Sequence, residues 1–180
     1  MADLRLMSGD SLARKHVVFI HGLGGNAETT WQSSDSEKVF WPKWLHEDIE
    51  DVCIWSIGYE APKLTVRNSG MGLLDRAQNV LETLLAEHQL SKGELILVGH
   101  SLGGLIIKQL IRLASDQNGR KGAIELINRI TGVAFLGSPH TGADLAQTAA
   151  FFKIVVTGCL LIKQPLFLDL DERHQLVCSS

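Results

Sequence analysis

The sequence predicts an α/β fold: a mainly parallel sheet with helices on both faces. Three observations carry that expectation. Short apolar runs rich in β-branched residues alternate with longer stretches whose apolar residues recur every three or four positions. Two of the short runs empty straight into glycine loops, residues 17–20 into His21-Gly22-Leu23-Gly24-Gly25 and residues 95–98 into Gly99-His100-Ser101-Leu102-Gly103-Gly104. A third ends at Leu136 and enters Gly137-Ser138-Pro139-His140. Open parallel sheets bind ligands at the carboxyl ends of their strands, so the fold would bring all three loops to one rim.

The elements follow in order. Residues 4–7 suit a short edge strand and residues 17–20 a central one. A loop then leads to a short helix around residues 41–48, with Trp31, Trp41 and Trp44 expected to pack the loop down. Residues 52–57 make a third strand, rich in β-branched and aromatic side chains. Leu73, Leu74, Ala77, Val80, Leu81, Leu84 and Leu85 lie on one helical face, predicting an amphipathic helix over residues 73–90. Residues 94–98 are the next strand, and residues 102–114, apolar almost all round, read as a buried helix. A polar loop over 116–122, a short helix over 124–130 and a strand over 132–136 follow.

Size and composition narrow the classes. A chain of 180 residues, 45% hydrophobic and 21% charged, has the makings of one domain with a real core. We read residues 1–180 as that single domain. A net charge of -3 without a basic cluster argues against nucleic acid as a partner. The 3 cysteines, Cys53, Cys159 and Cys178, include no Cys-x-x-Cys pair, which points to a reducing, intracellular and cytoplasmic setting. The 7 histidines show no ligand spacing, so neither metal nor cofactor is expected. No secretory signal opens the chain, and the apolar stretch 151–170 is interrupted by Lys153, Lys163 and Pro165, which argues against a membrane span.

Gly99-His100-Ser101-Leu102-Gly103 carries the chemistry. A strand, a sharp turn with serine at its tip and a helix form the arrangement known as a nucleophile elbow, with Ser101 the candidate nucleophile. Gly99 and Gly103 remove side chains that would collide across the turn. The following helix turns its free N–H groups toward Ser101. The alternative is a tight turn that merely needs a small residue. Backbone N–H groups of Leu102 and of Leu23 are the candidate oxyanion donors. A phosphate cradle is the competing reading of the Gly22–Gly25 loop, but neither Gly-x-Gly-x-x-Gly nor a Lys-Ser/Thr pair is present. His21 reads as an organiser of its loop, and His100 as packing against it.

Taken together, His21-Gly22-Leu23-Gly24-Gly25, Ile57-Gly58-Tyr59, the elbow with Leu105-Ile106-Ile107-Lys108-Gln109, and Phe135-Leu136-Gly137-Ser138-Pro139-His140-Thr141-Gly142-Ala143-Asp144-Leu145-Ala146 resemble the α/β-hydrolase serine esterase and lipase family (SERAC-like, DUF676-like). The resemblance spans about residues 17–170. It implies an α/β-hydrolase-type sheet lacking its C-terminal strands and an acyl-serine route to cleavage of carboxylic, above all lipid, esters. Members also occur as effector domains joined to other modules, so a module dependent on the rest of a larger protein is the alternative.

The family order is serine, acid, histidine. After Ser101 the chain offers His140 and His174. The resemblance makes His140 part of a structural loop, with a surrogate base the competing reading. His174, with Asp171 or Asp169, satisfies the order as base and acid, and a solvated charged tail is the competing reading. Asp144 reads as a helix cap. Residues 151–168 read as a lid that meets a lipid or membrane surface, or as a helix buried on the sheet. Without further strands, the C-terminal face is expected to self-associate or meet a larger-protein partner.

Overall fold

The computed structural model describes residues 2–33, 39–60, 72–116 and 121–138. Among the described residues five strands and four α-helices follow in the order β1 (Asp3–Ser8), β2 (Lys15–Ile20), α1 (Lys43–Asp48), β3 (Val52–Gly58), α2 (Leu73–Ala86), β4 (Glu94–His100), α3 (Leu102–Asp116), α4 (Lys121–Asn128) and β5 (Ile130–Leu136). All belong to one compact unit, Met1–His140. The expected His140, Asp144, Asp169, Asp171 and His174 sites and the 151–168 lid lie outside the described residues.

The strands form one sheet in the order β1-β3-β2-β4-β5. β2 pairs in parallel with β3 on one side and β4 on the other, and β4 pairs in parallel with β5. Only β1 runs antiparallel, at the edge beside β3. The parallel core follows from composition. β2 is buried over His16 to Ile20 and β3 over Val52 to Ile57, as strands covered on both faces must be.

Strand alternation sorts these residues onto two faces. On one, Val17, Phe19, Val52, Ile54 and Val98 pack with Trp31 and Phe40, and Leu45 of α1 and Trp41 close over them. Phe19 meets Trp31 and Trp41 edge-on, with centroids 5.0 Å and 5.5 Å away. Alternation sends Val18, Ile20, Trp55, Ile57 and Leu97 to the opposite face, where α3 packs against β4 and α2 against α3. Trp31 and Trp41 thus anchor the loop as expected. Trp44 does not: it is 52% exposed on the outer side of α1.

Two helix boundaries differ from the sequence reading. The helix expected over 73–90 stops at Ala86, and Glu87 is extended at φ -82°, ψ 107°. Its carboxylate accepts from Gln89 N–H at 3.1 Å and starts a separate 3-10 turn, His88–Leu90, which buries Leu90 completely. The helix expected over 124–130 begins earlier, at Lys121, and ends at Asn128. Ile130 continues the apolar spacing on paper but pairs with Leu95 as the first residue of β5. Sheet pairing outweighs a three-residue spacing that fits both readings.

Cys53 lies buried in β3, and burial pushes its thiol pKa up to about 11, so it packs as an unreactive apolar group. Among the described residues no helix is long and apolar enough to cross a membrane. Core burial yields a direct test. Leu97, fully buried in β4, should cost about 2–5 kcal/mol on replacement by alanine. Leu74→Ala, at a residue 52% exposed, should change the urea midpoint little by comparison.

Candidate functional site at the carboxyl ends of β2 and β4

β4 ends at His100 and α3 begins at Leu102, so Ser101 alone makes the reversal. It does so at φ +54°, in the left-handed region that side chains seldom enter. The strained residue is braced from both sides. Its N–H donates to the Leu136 carbonyl at the end of β5 at 2.8 Å, and its carbonyl accepts from Gly104 N–H at 3.2 Å. Ser138, just past β5, donates its hydroxyl to the Gly99 carbonyl at 3.3 Å.

Missing side chains let the parts meet. A Cβ on Gly99 would stand 2.6 Å from Gly104 Cα and N. One on Gly103 would run into the Ile20 carbonyl oxygen and lie 2.6 Å from that of His21. The first turn of α3 therefore rests directly on the end of β2. On the other side of the junction, a Cβ on Gly22 would stand 2.8 Å from Ser101 Cβ, so the β2 loop abuts the serine itself.

That loop is a β-turn. Gly25 N–H donates to the Gly22 carbonyl at 3.2 Å, with Leu23 and Gly24 as central residues. Gly24 at φ +69° supplies the positive angle a type II turn needs at its second centre. Leu23 occupies the first centre, whose N–H takes no part in closing such a turn. Leu102 is the first residue of α3, where N–H groups have no partner within the helix. The structure thus brings Ser101, Leu102 and the Leu23 loop together, with Ser101 only 9% exposed and Leu23 half-buried.

The histidines are fixed by their partners. Nδ1 of His21 lies 2.8 Å from the Gly22 carbonyl, and a carbonyl only accepts, so Nδ1 carries the proton. Nε2 accepts from Tyr59 N–H at 3.4 Å. Both ring nitrogens are engaged, which leaves His21 no lone pair for Ser101, in keeping with its reading as a loop organiser. Burial pulls its pKa below the ordinary value of 6.5, against the pull of the Gly22 hydrogen bond. His100 stands with its ring 6.2 Å from that of Trp31 and close to Gly22. This one-sided packing lowers its pKa although the residue as a whole is exposed. Among the described residues the Ser101 hydroxyl has no hydrogen bond to an imidazole.

The partner of His21 was not legible beforehand. Tyr59 lies 38 positions away and meets His21 because β2 and β3 pair with Ile20 opposite Ile57. A cleft of about 410 Å³, lined by Arg5, Glu28, His21 and Tyr59 among others, opens beside this pair, and Ser101 does not line it.

Residues 11–163 match the family model described as Putative serine esterase (DUF676). Protein SERAC1 of Danio rerio is 29% identical over 183 residues, a match that takes in 87% of this chain and 27% of that protein. The chain therefore spans about a quarter of the length of the curated relatives it matches. Mature lipase BlEst2 of Bacillus licheniformis aligns with a TM-score of 0.50 at 19% identity, over 83% of this chain and 51% of the lipase chain. An α/β-hydrolase family protein from Desulfitobacterium hafniense gives a TM-score of 0.52 at 16% identity, over 94% of this chain and 58% of that one. These likenesses establish the α/β-hydrolase fold.

The buried imidazoles set a pH dependence. His16 accepts from Trp55 Nε1–H at 3.1 Å, and burial lowers its pKa, as it does for His21. The unfolded chain, titrating at the ordinary 6.5, binds protons that the native state refuses. Stability is therefore full above that value and declines as pH falls below it toward the depressed native values. Urea midpoints measured at about pH 7.5 and about pH 5 should differ in that direction, and His16→Gln should narrow the gap.

Proposed function

This chain belongs to the DUF676 family of serine esterases, and from that premise we propose that Ser101 is its nucleophile, acting on carboxylic esters of the lipid type. One observation carries the reading: a serine at φ +54° between strand and helix, with the Gly22 backbone against its Cβ. On this reading two amides from separate chain segments, Leu23 N–H and Leu102 N–H, serve the site as oxyanion donors.

The chemistry then follows. Ser101 Oγ attacks the ester carbonyl carbon while its proton passes to an imidazole base. The carbonyl electron pair moves onto oxygen, and the two amides stabilise the charge. Each such donor is worth about 3 kcal/mol in the transition state. Collapse breaks the ester C–O bond. The departing alkoxide takes the proton from the imidazolium and leaves an acyl-serine, which water cleaves by the same steps in reverse roles. His174, oriented by Asp171, is the base that chain order supports. His21 is unsuited, because both of its nitrogens are occupied.

A second reading has its own support. No described imidazole reaches Ser101, and the relatives are some four times longer than the matched segment. On that reading the chain is a hydrolase-like module that needs the rest of a larger protein. A fluorophosphonate probe decides between the two. Labelling of the purified chain, lost in Ser101→Ala and much reduced in His174→Ala, is the expected result. Folded wild-type protein that stays unlabelled would reject autonomous catalysis.

A further inference from the structure

We propose that Tyr59 is a positioning residue that holds the Leu23 amide in place; the inference rests on the esterase reading of the site. The argument concerns peptide planes. A trans peptide is rigid, so its N–H and C=O point in opposite directions and fixing one fixes the other. Leu23 N–H shares its plane with the Gly22 carbonyl. That carbonyl accepts from His21 Nδ1–H at 2.8 Å and from Gly25 N–H at 3.2 Å. The aim of the Leu23 amide is thus set largely by the His21 ring.

Tyr59 holds the ring by two contacts and the adjoining peptide by a third. Its N–H meets Nε2 at 3.4 Å, favouring the tautomer that carries its proton on Nδ1. Its aromatic ring stacks on the imidazole, with centroids 4.3 Å apart and planes 9° from parallel. Its hydroxyl donates to the His21 carbonyl at 2.7 Å, which fixes the His21–Gly22 peptide, the plane before the one that matters. The same His21 carbonyl lies against Gly103, so a peptide released from Tyr59 would be free to turn only away from α3. Tyr59 is 8% exposed, and burial raises its phenol pKa, so it stays a donor at any working pH. It touches no reacting atom and works through His21.

Phosphonylation of the purified chain at several fluorophosphonate concentrations separates the maximal rate, kinact, from the binding constant, KI. Tyr59→Phe keeps the stacked ring and deletes only the hydroxyl. We expect kinact to fall about tenfold, less than the loss of a whole oxyanion donor, with KI unchanged. Ser56→Ala is the matched control: it deletes a buried hydroxyl of β3, one that donates to the Ala27 carbonyl at 2.6 Å. It should lower the thermal midpoint and leave kinact as in wild type. An unchanged kinact in Tyr59→Phe, or a fall no greater than in Ser56→Ala, overturns the proposal. Amide exchange over residues 22–25 is read in parallel. If wild-type protein proves unreactive at Ser101, the esterase reading falls and exchange alone decides the role of Tyr59. Faster exchange at Leu23 in Tyr59→Phe than in Ser56→Ala upholds the role, and equal rates end it.

Discussion

Between the last peptides of β2 and the first turn of α3 there is no space for a side chain. A methyl group at Gly103 would collide with the Ile20 carbonyl, and one at Gly22 would press on Ser101. Because the gap is closed by backbone on both sides, the helix start, the serine and the β2 loop take up one arrangement together. Adding atoms there forces strand and helix apart, a change that a close-packed interior resists. The sheet pairing of β2 with β4 sets the distance, and the β5 carbonyl that receives Ser101 N–H sets the angle.

Electrostatics reinforce this geometry. His21 sits at the centre of the loop as a neutral ring whose two nitrogens face a carbonyl and an amide. A proton added to Nε2 would point at another donor, so the ring's hydrogen bonds and its burial both hold it neutral. His16, under Trp55, repeats the logic on β2. β2 and the residue that follows it thus carry two imidazoles whose pKa burial holds below the ordinary value.

Much of this was legible in advance, for stated reasons. The central strands announced themselves as apolar, β-branched runs because a sheet covered on both faces leaves little place for polar residues, and all five strands were located to within about two residues. The turn at Ser101 was legible because its glycines answer a local collision. What escaped depended on pairing across the sheet. Glu87 breaks a periodic run because burying Leu90 requires a second, tighter turn. Ile130 belongs to a strand because Leu95 stands opposite. Trp44 faces outward because α1 is short and offers its inner side to Leu45. Tyr59 meets His21 through strand register, which no local pattern encodes.

The backbone angle at position 101 has a consequence for what that seat accepts. At φ +54° a β-branched residue crowds its own main chain, so threonine, a hydroxyl of nearly the same reactivity, is a poor occupant. Cysteine shares serine's unbranched Cβ and avoids that crowding. Substitution at this seat is therefore channelled from oxygen toward sulfur, and away from a second alcohol, by backbone sterics.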